Sequence, residues 1–186
     1  MNFRRRHILI YGAASLTLLA VSFRVTANPQ TQTEPPTVDP AKVHLRLVKL
    51  PGYSVFDNLA ARIEGSKIIL TGQVVDPKLK SNAEAVMKKI SGVVCVQNDV
   101  ELLPTSPSDD QLRKATYRAI YSDPNLARYR YSELPLIHII VKRGNVSLEG
   151  RVYDEADFAV VESRAKAVPH VSSVKNNLAI ERRVAS

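Results

Sequence analysis

The residues with the clearest capacity for chemistry lie between 113 and 131. Read as a helix, residues 109–121 put Leu112, Ala115, Thr116, Ala119 and Ile120 on one side. Arg113, Lys114, Tyr117, Arg118 and Tyr121 fall on the other. Arg128-Tyr129-Arg130-Tyr131 follows, and the whole stretch carries five basic residues against one acid, Asp123. Tyrosine beside cations suits a membrane interface, where the ring sits at headgroup depth and the cation meets lipid phosphate. An anionic phospholipid surface is the partner this pattern predicts. The competing reading is that Tyr117, Tyr129 and Tyr131 partly cover a core while the cations form a solvated face. Stacking on single-stranded RNA would use the same residue types, but there is no GXXG clamp and no RNP-like aromatic strand. Nucleic acid is therefore not expected as a partner.

Other chemistry is poorly represented. The chain has no G-x-S-x-G elbow, no HExxH and no phosphate-binding Gly loop. His7, His44, His138 and His170 are scattered, and the single Cys95 can form neither an intramolecular disulfide nor a zinc site. His138 on an alternating strand is expected to face the outer side of a sheet, and His170 to sit at a helix end, where a partial positive charge suits the dipole. Asp109-Asp110 and Asp154/Asp157 look like helix-start acids rather than a general acid and base. Cys95 matches Ser173 in the repeat described below and is expected to be a small strand residue, not a nucleophile. No enzyme activity, cofactor, metal or small-molecule substrate is expected.

The elements that must position the basic–aromatic stretch come twice. Shifted by 78 residues, 63–102 aligns without a gap on 141–180. Leu70, Gly72, Val74 and Asp76 fall on Leu148, Gly150, Val152 and Asp154; Val93, Val96 and Asn98 fall on Val171, Val174 and Asn176. In each copy an alternating run predicts a half-buried strand, with Ile68, Leu70 and Val74, or Val146, Leu148 and Val152, on the inner face. A strand over Leu59–Ile63 or Ile137–Val141 precedes it, and Gly65-Ser66 or Gly144-Asn145 supplies the hairpin turn. Gly72 and Gly150, at inward positions, predict close approach of a helix. Asp76-Pro77 and Asp154 open helices whose buried stripes are Leu79, Ala83, Val86, Met87 and Ile90, and Phe158, Val161, Ala165 and Val168. Gly92 and Pro169 end them. A third strand, Val93–Leu102 or Val171–Ile180, should return parallel to the second through a right-handed crossover. A helix also precedes each hairpin: Asp39-Pro40 caps 41–50, and Ser108 with Gln111 forms a capping box before 109–121.

The N-terminus is unlike the rest. Arg4-Arg5-Arg6 precedes a mostly apolar run from His7 to Phe23, and Val25-Thr26-Ala27 supplies small residues where a signal peptidase cuts. Residues 1–27 read as a secretory signal, with an uncleaved anchor as the alternative. They hold four of the 26 basic residues and no acid, so half of the formal charge of +8 sits there. The remainder is only mildly basic, which permits attraction to anionic lipid without demanding it. Residues 28–38 are polar, contain proline and read as a flexible linker.

The repeated pattern resembles the BON domain (bacterial OsmY and nodulation) family, which shows a strand V-x-L-x-G-x-V, a helix, then G-V-x-x-V-x-N. Ile68–Val74 with Gly92-Val93-Val94-Cys95-Val96-Gln97-Asn98, and Val146–Val152 with His170-Val171-Ser172-Ser173-Val174-Lys175-Asn176, carry the resemblance. His170 departs from the usual Gly. The fold this predicts is α+β: two tandem αββαβ sandwiches, each a three-stranded mixed sheet covered on one face by two helices. The first domain is expected at 39–104, a semi-rigid linker at 105–107, the second domain at 108–181 and a tail at 182–186. Ile69, on the less polar outer face, is a candidate for packing against the neighbouring domain. Gly72, Gly92, Gly150, Asn98 and Asn176 are structural motif positions. The resemblance implies an OsmY-like, non-catalytic periplasmic or membrane-associated protein that binds phospholipid surfaces under osmotic or envelope stress. An adaptor or chaperone-like role toward another envelope protein is the alternative.

Overall fold

Prolines at the first turn and short polar caps decide where the helices start. In the computed structural model, which describes residues 37–132 and 134–181, Asp39 accepts from the Ala41 amide at 2.9 Å and Pro40 opens α1 (Pro40–Val48). Asp76 does the same for Lys78 at 2.8 Å ahead of α2 (Pro77–Met87). Ser106 caps α3 (Pro107–Tyr121) with Pro107 as its first residue. Asp154 accepts from Asp157 at 2.8 Å ahead of α5 (Glu155–Lys166). A proline at this position has lost only an amide that would be unpaired anyway. For that reason α3 begins at Pro107, with Ser106 rather than Ser108 as cap.

The first copy continues with β1 (Asn58–Glu64), β2 (Lys67–Val74), β3 (Cys95–Asn98) and β4 (Glu101–Leu102). The second has a short α4 (Ala127–Arg130) after a 3-10 turn, then β5 (Ile137–Lys142), β6 (Asn145–Val152), β7 (Ser173–Asn176) and β8 (Ala179–Ile180). β2 pairs antiparallel with β1 and parallel with β3 and β4; β6 does so with β5, β7 and β8. Each sheet thus has three main strands, with helices on one face. The described helices include none long and apolar enough to cross a membrane. The signal, most of the linker and the tail read from the sequence lie outside the described residues.

Three further details, in the strands and turns, differ from the sequence expectation. Val93–Leu102 and Val171–Ile180 are not continuous strands. Each is interrupted where Val100 or Leu178 turns into the core, although the parallel register is the same on both sides of the break. The Asn98 amide group bridges this break. It donates to Lys80 O and Glu84 Oε2, both at 3.1 Å, and its oxygen accepts from the Val100 amide at 3.3 Å. Asn176 makes the matching bonds to Phe158 O, Glu162 Oε2 and the Leu178 amide.

The close approach at Gly72 and Gly150 is that of the antiparallel neighbour, not of a helix. With φ of +114° and +105°, a Cβ there would overlap the carbonyl oxygen of Asn58 or Leu136. Finally, the second hairpin turns at Arg143-Gly144 rather than Gly144-Asn145, and both turn residues have positive φ, as a type I′ turn requires. The Asp109 carboxylate accepts from both turn amides, at 2.8 and 2.9 Å. His170 takes φ +67°, where Gly92 takes +87° in the first copy. The helix–strand turn is therefore retained without its glycine.

Each copy buries its own core. Val43, Leu47, Ile68, Leu70, Leu79 and Met87 belong to the first, and Ile120, Ile137, Ile139, Leu148, Val161 and Ala165 to the second. Every residue of β5 from Ile137 to Val141 is buried, including the outward-facing His138 and Ile140, and Ile69 of β2 is buried as well. A strand buried on both faces lies between its own helices and something else, and here the first copy supplies part of the cover.

Candidate functional site

The basic–aromatic stretch separates into an exposed part and a buried part. Arg113 is 2% exposed: its guanidinium donates to Val141 O at 2.8 Å and pairs with Asp110. Tyr121 is 3% exposed and donates its hydroxyl to Ile137 O at 3.0 Å. Burial pushes its phenol well above the ordinary range, with Tyr117 adding to the shift. Both side chains tie α3 to β5, so the helical wheel misplaces them on the outer side. Tyr129 is also buried. Its hydroxyl donates to Asp157 and accepts from the Tyr153 amide, and burial followed by the Asp157 bond pushes its pKa up to about 12.

Arg128 is half-exposed but fully engaged. It pairs with Asp154 and Asp157 and lies 5.5 Å from the ring centres of both Tyr129 and Tyr153, which stack at 5.2 Å. The Asp157 bond holds its guanidinium above the ordinary arginine range. Arg130 donates to Tyr121 O. These contacts fasten α4 to the start of α5 and to the end of α3. Asp157 is thus more than a helix-start acid: it is a buried acceptor for two side chains.

Besides Arg128 and Arg130, the surface of the stretch presents Lys114, Arg118, half-buried Tyr117 and, farther along, Tyr131, which is 79% exposed. Lys114, Tyr117 and Arg118 line a groove of about 580 Å³ with Ser54, Val55, Phe56 and Pro135. The Phe56 and Tyr117 rings meet edge-on at 6.1 Å, and Tyr117 lies 4.6 Å from Tyr121. One wall of the groove is therefore cationic and belongs to the second copy, while much of its apolar lining belongs to the first. Val55, Phe56 and Pro135 are residues that sequence reasoning missed. The aromatic–apolar run Tyr53-Ser54-Val55-Phe56 in an otherwise unassigned connection is the signal that could have found them. Chemically, such a groove can take an anion attached to an apolar body.

Gly72, Gly150, Asn98 and Asn176 lie in the sheets described above, and Gly92 lies in the turn leading to β3. Cys95 is exposed at the start of β3. No cluster of three or more His, Cys, Asp or Glu that could hold a metal ion occurs among the described residues.

Comparison with known proteins accounts for the duplicated frame. No curated protein sequence matches the chain. Among solved structures, it is similar to CdsD, a structural protein of the type III secretion system of Chlamydia trachomatis. Identity is 13%, the match covers 76% of this chain and 91% of that one, and the TM-score is 0.31. The C-terminal domain of CdsD gives 13% identity, 76% and 96% coverage, and a TM-score of 0.27. The BON domain family matches residues 48–104 and again 108–182, which together make up most of the sequence. With two copies of the αββαβ frame in place, the chain belongs to the BON domain family.

Proposed function

We propose that this is a non-catalytic bacterial envelope protein that binds anionic phospholipid surfaces through the second copy, and that it helps maintain the envelope under osmotic or other stress. The observation that carries the reading is the groove of Lys114, Tyr117 and Arg118 against Val55, Phe56 and Pro135. Its cations suit a lipid phosphate, and its apolar floor suits the adjoining glycerol and acyl carbons. Tyr131 supplies a further exposed ring, and the leader-like residues 1–27 fit export to the periplasm. Arg113, Tyr121 and Tyr129 support this surface from within rather than touching lipid.

Flotation of the purified protein with vesicles tests the reading. Phosphatidylglycerol-containing vesicles should bind it, and phosphatidylcholine vesicles should not. Binding should weaken between roughly 0.1 M and 1 M salt, as the Debye length falls from about 10 Å to about 3 Å. A Lys114→Gln/Arg118→Gln variant should lose about 2 kcal/mol, roughly thirtyfold in affinity, at about 1 kcal/mol per cation near an anionic surface. Undiminished binding by that variant would remove the groove from the account.

A second reading, an adaptor for another envelope protein, is favoured by Val94, which is 85% exposed beside the edge strand β3. Capture of one defined partner without membrane, lost in Val94→Asp, would support it over lipid binding.

A further inference from the structure

The connection between α1 and β1 does more than join them. Its residues 53–57 form an arm that reaches the second copy. The Ile139 amide donates to Val55 O at 2.7 Å, which occupies the edge of β5 opposite β6. Phe56 meets Tyr117, and Tyr53 meets the His138 ring at 5.5 Å. The buried Asp57 carboxylate stiffens the arm by accepting from the Ser54 amide at 3.0 Å, the Ser54 hydroxyl at 2.7 Å and the Val75 amide at 2.9 Å.

His138 lies where the arm lands. It is 7% exposed, and its Nδ1 is buried without a hydrogen-bond partner. From the arm, the groups facing it are Tyr53 and Asp57. Tyr53 is neutral, its phenol pushed by burial to about 12. Asp57 already serves three donors. Glu149, the register partner of His138 on β6, is engaged by Asn177 at 2.6 Å. Arg151 of β6 and His44 of α1 line the same cleft, and Arg151 is paired with Glu181. Asp57 is the carboxylate among these whose charge acts on the ring, and its oxygens are already committed to three other donors, so an imidazolium at this position would be buried with only partial compensation.

We propose that the docking of the 53–57 arm on the second copy is an acid-sensitive latch, in which protonation of His138 releases the arm from the edge of β5. Burial holds the His138 pKa below its ordinary value, and the backbone of Asp57, Ser54 and Pro135 and the charge of Asp57 only partly oppose this. The docked form therefore binds the proton less well than the released form. Docking is strongest above the ordinary histidine value of about 6.5. It weakens as pH falls below that value, by up to about tenfold per pH unit, until the docked histidine itself takes the proton. Release would free the Ile139 amide and expose Val55, Phe56 and Tyr117 beside Lys114 and Arg118. The latch does not depend on what the groove binds.

Amide hydrogen exchange on the lipid-free protein at pH 7.5 and 5.5 tests it directly. After correction for intrinsic rates, protection at Ile139 and across 53–57 should drop by up to about tenfold at the lower pH. Protection at Leu70 and Leu148, inside each sheet, should hold. In His138→Gln the drop should vanish. An equal drop in that variant, or none in the natural protein, would overturn the proposal. Should His138→Gln fail to fold, NMR titration of the natural His138 ring decides. A midpoint below about 6.5 supports the latch, and one at or above it sinks the latch.

Discussion

In both copies the second strand holds the same parallel register to the third, from Lys67↔Cys95 to Val74↔Leu102 in one and from Asn145↔Ser173 to Val152↔Ile180 in the other. In both, a positive-φ glycine kinks that strand, and an asparagine in the third strand bonds back to the helix. The copies part company between their first helix and first strand. In the first copy this connection is the arm that docks on the second copy, through Val55 and Ile139. In the second copy it is longer and folds onto its own core through α4, Leu126 and Tyr129. The duplicated part is the part that sheet geometry constrains. The diverged connection supplies the groove's apolar lining and the Val55–Ile139 contact between copies, while the shared frame supplies the groove's cations from α3 and a second contact, Lys142 of β5 with Glu101 of β4.

If the shared frame is the common source of stability, breaking it should be costly in either copy. Gly72→Ala and Gly150→Ala each force a side chain into a left-handed conformation and against a strand carbonyl. Each should lose about 3 kcal/mol or more in urea unfolding. A loss under about 1 kcal/mol in one copy alone would break the comparison, because that copy's sheet would have to reshape around the substitution.

The diverged connection offers a smaller and one-sided effect. Tyr129→Phe removes the acceptor that the Tyr153 amide uses and one donor from Asp157. It should cost about 2 kcal/mol, the usual range for losing a hydrogen bond to a carboxylate inside the protein. Tyr131→Phe, two residues on at a largely exposed ring, should stay within about 0.5 kcal/mol. Equal effects from the two would mean that α4 is not anchored through Tyr129, and melting curves of both variants decide the matter.

What could be read from the sequence follows from the range of the interactions. Strand alternation, Asp-Pro caps and the Val-x-x-Val-x-Asn motif are local, and the repeat doubled each signal. The break in the third strand was not legible, because it depends on Asn98 reaching Lys80 and Glu84 across the domain. Arg113 illustrates another limit. A helical wheel sorts residues by type, but the buried carbonyl of Val141 needs a donor, and a long arginine stem can supply one from beneath the helix. Alternation correctly turned His138 to the outer face of β5, but no local pattern says that the 53–57 arm covers that face. The groove was half legible for the same reason, since its cations are clustered in sequence and its apolar lining comes largely from the other copy.

The smallest expected effect concerns the turn that leads into the third strand. Gly92 and His170 occupy equivalent positions with φ of +87° and +67°. A non-glycine residue there costs about 1 kcal/mol. Gly92→His should therefore destabilise by about 1 kcal/mol, and His170→Gly should stabilise by about the same amount, both read from urea midpoints at constant slope. If the two turns are interchangeable, the double exchange should leave stability near that of the natural chain. His170, however, also borders a groove of about 590 Å³ with Leu112, Ala115, Arg143 and Pro169. A stabilisation well short of about 1 kcal/mol in His170→Gly would mean that the imidazole makes compensating contacts there. The second copy would then have traded backbone ease for a side chain at this corner, and the divergence between the copies would extend into the frame itself.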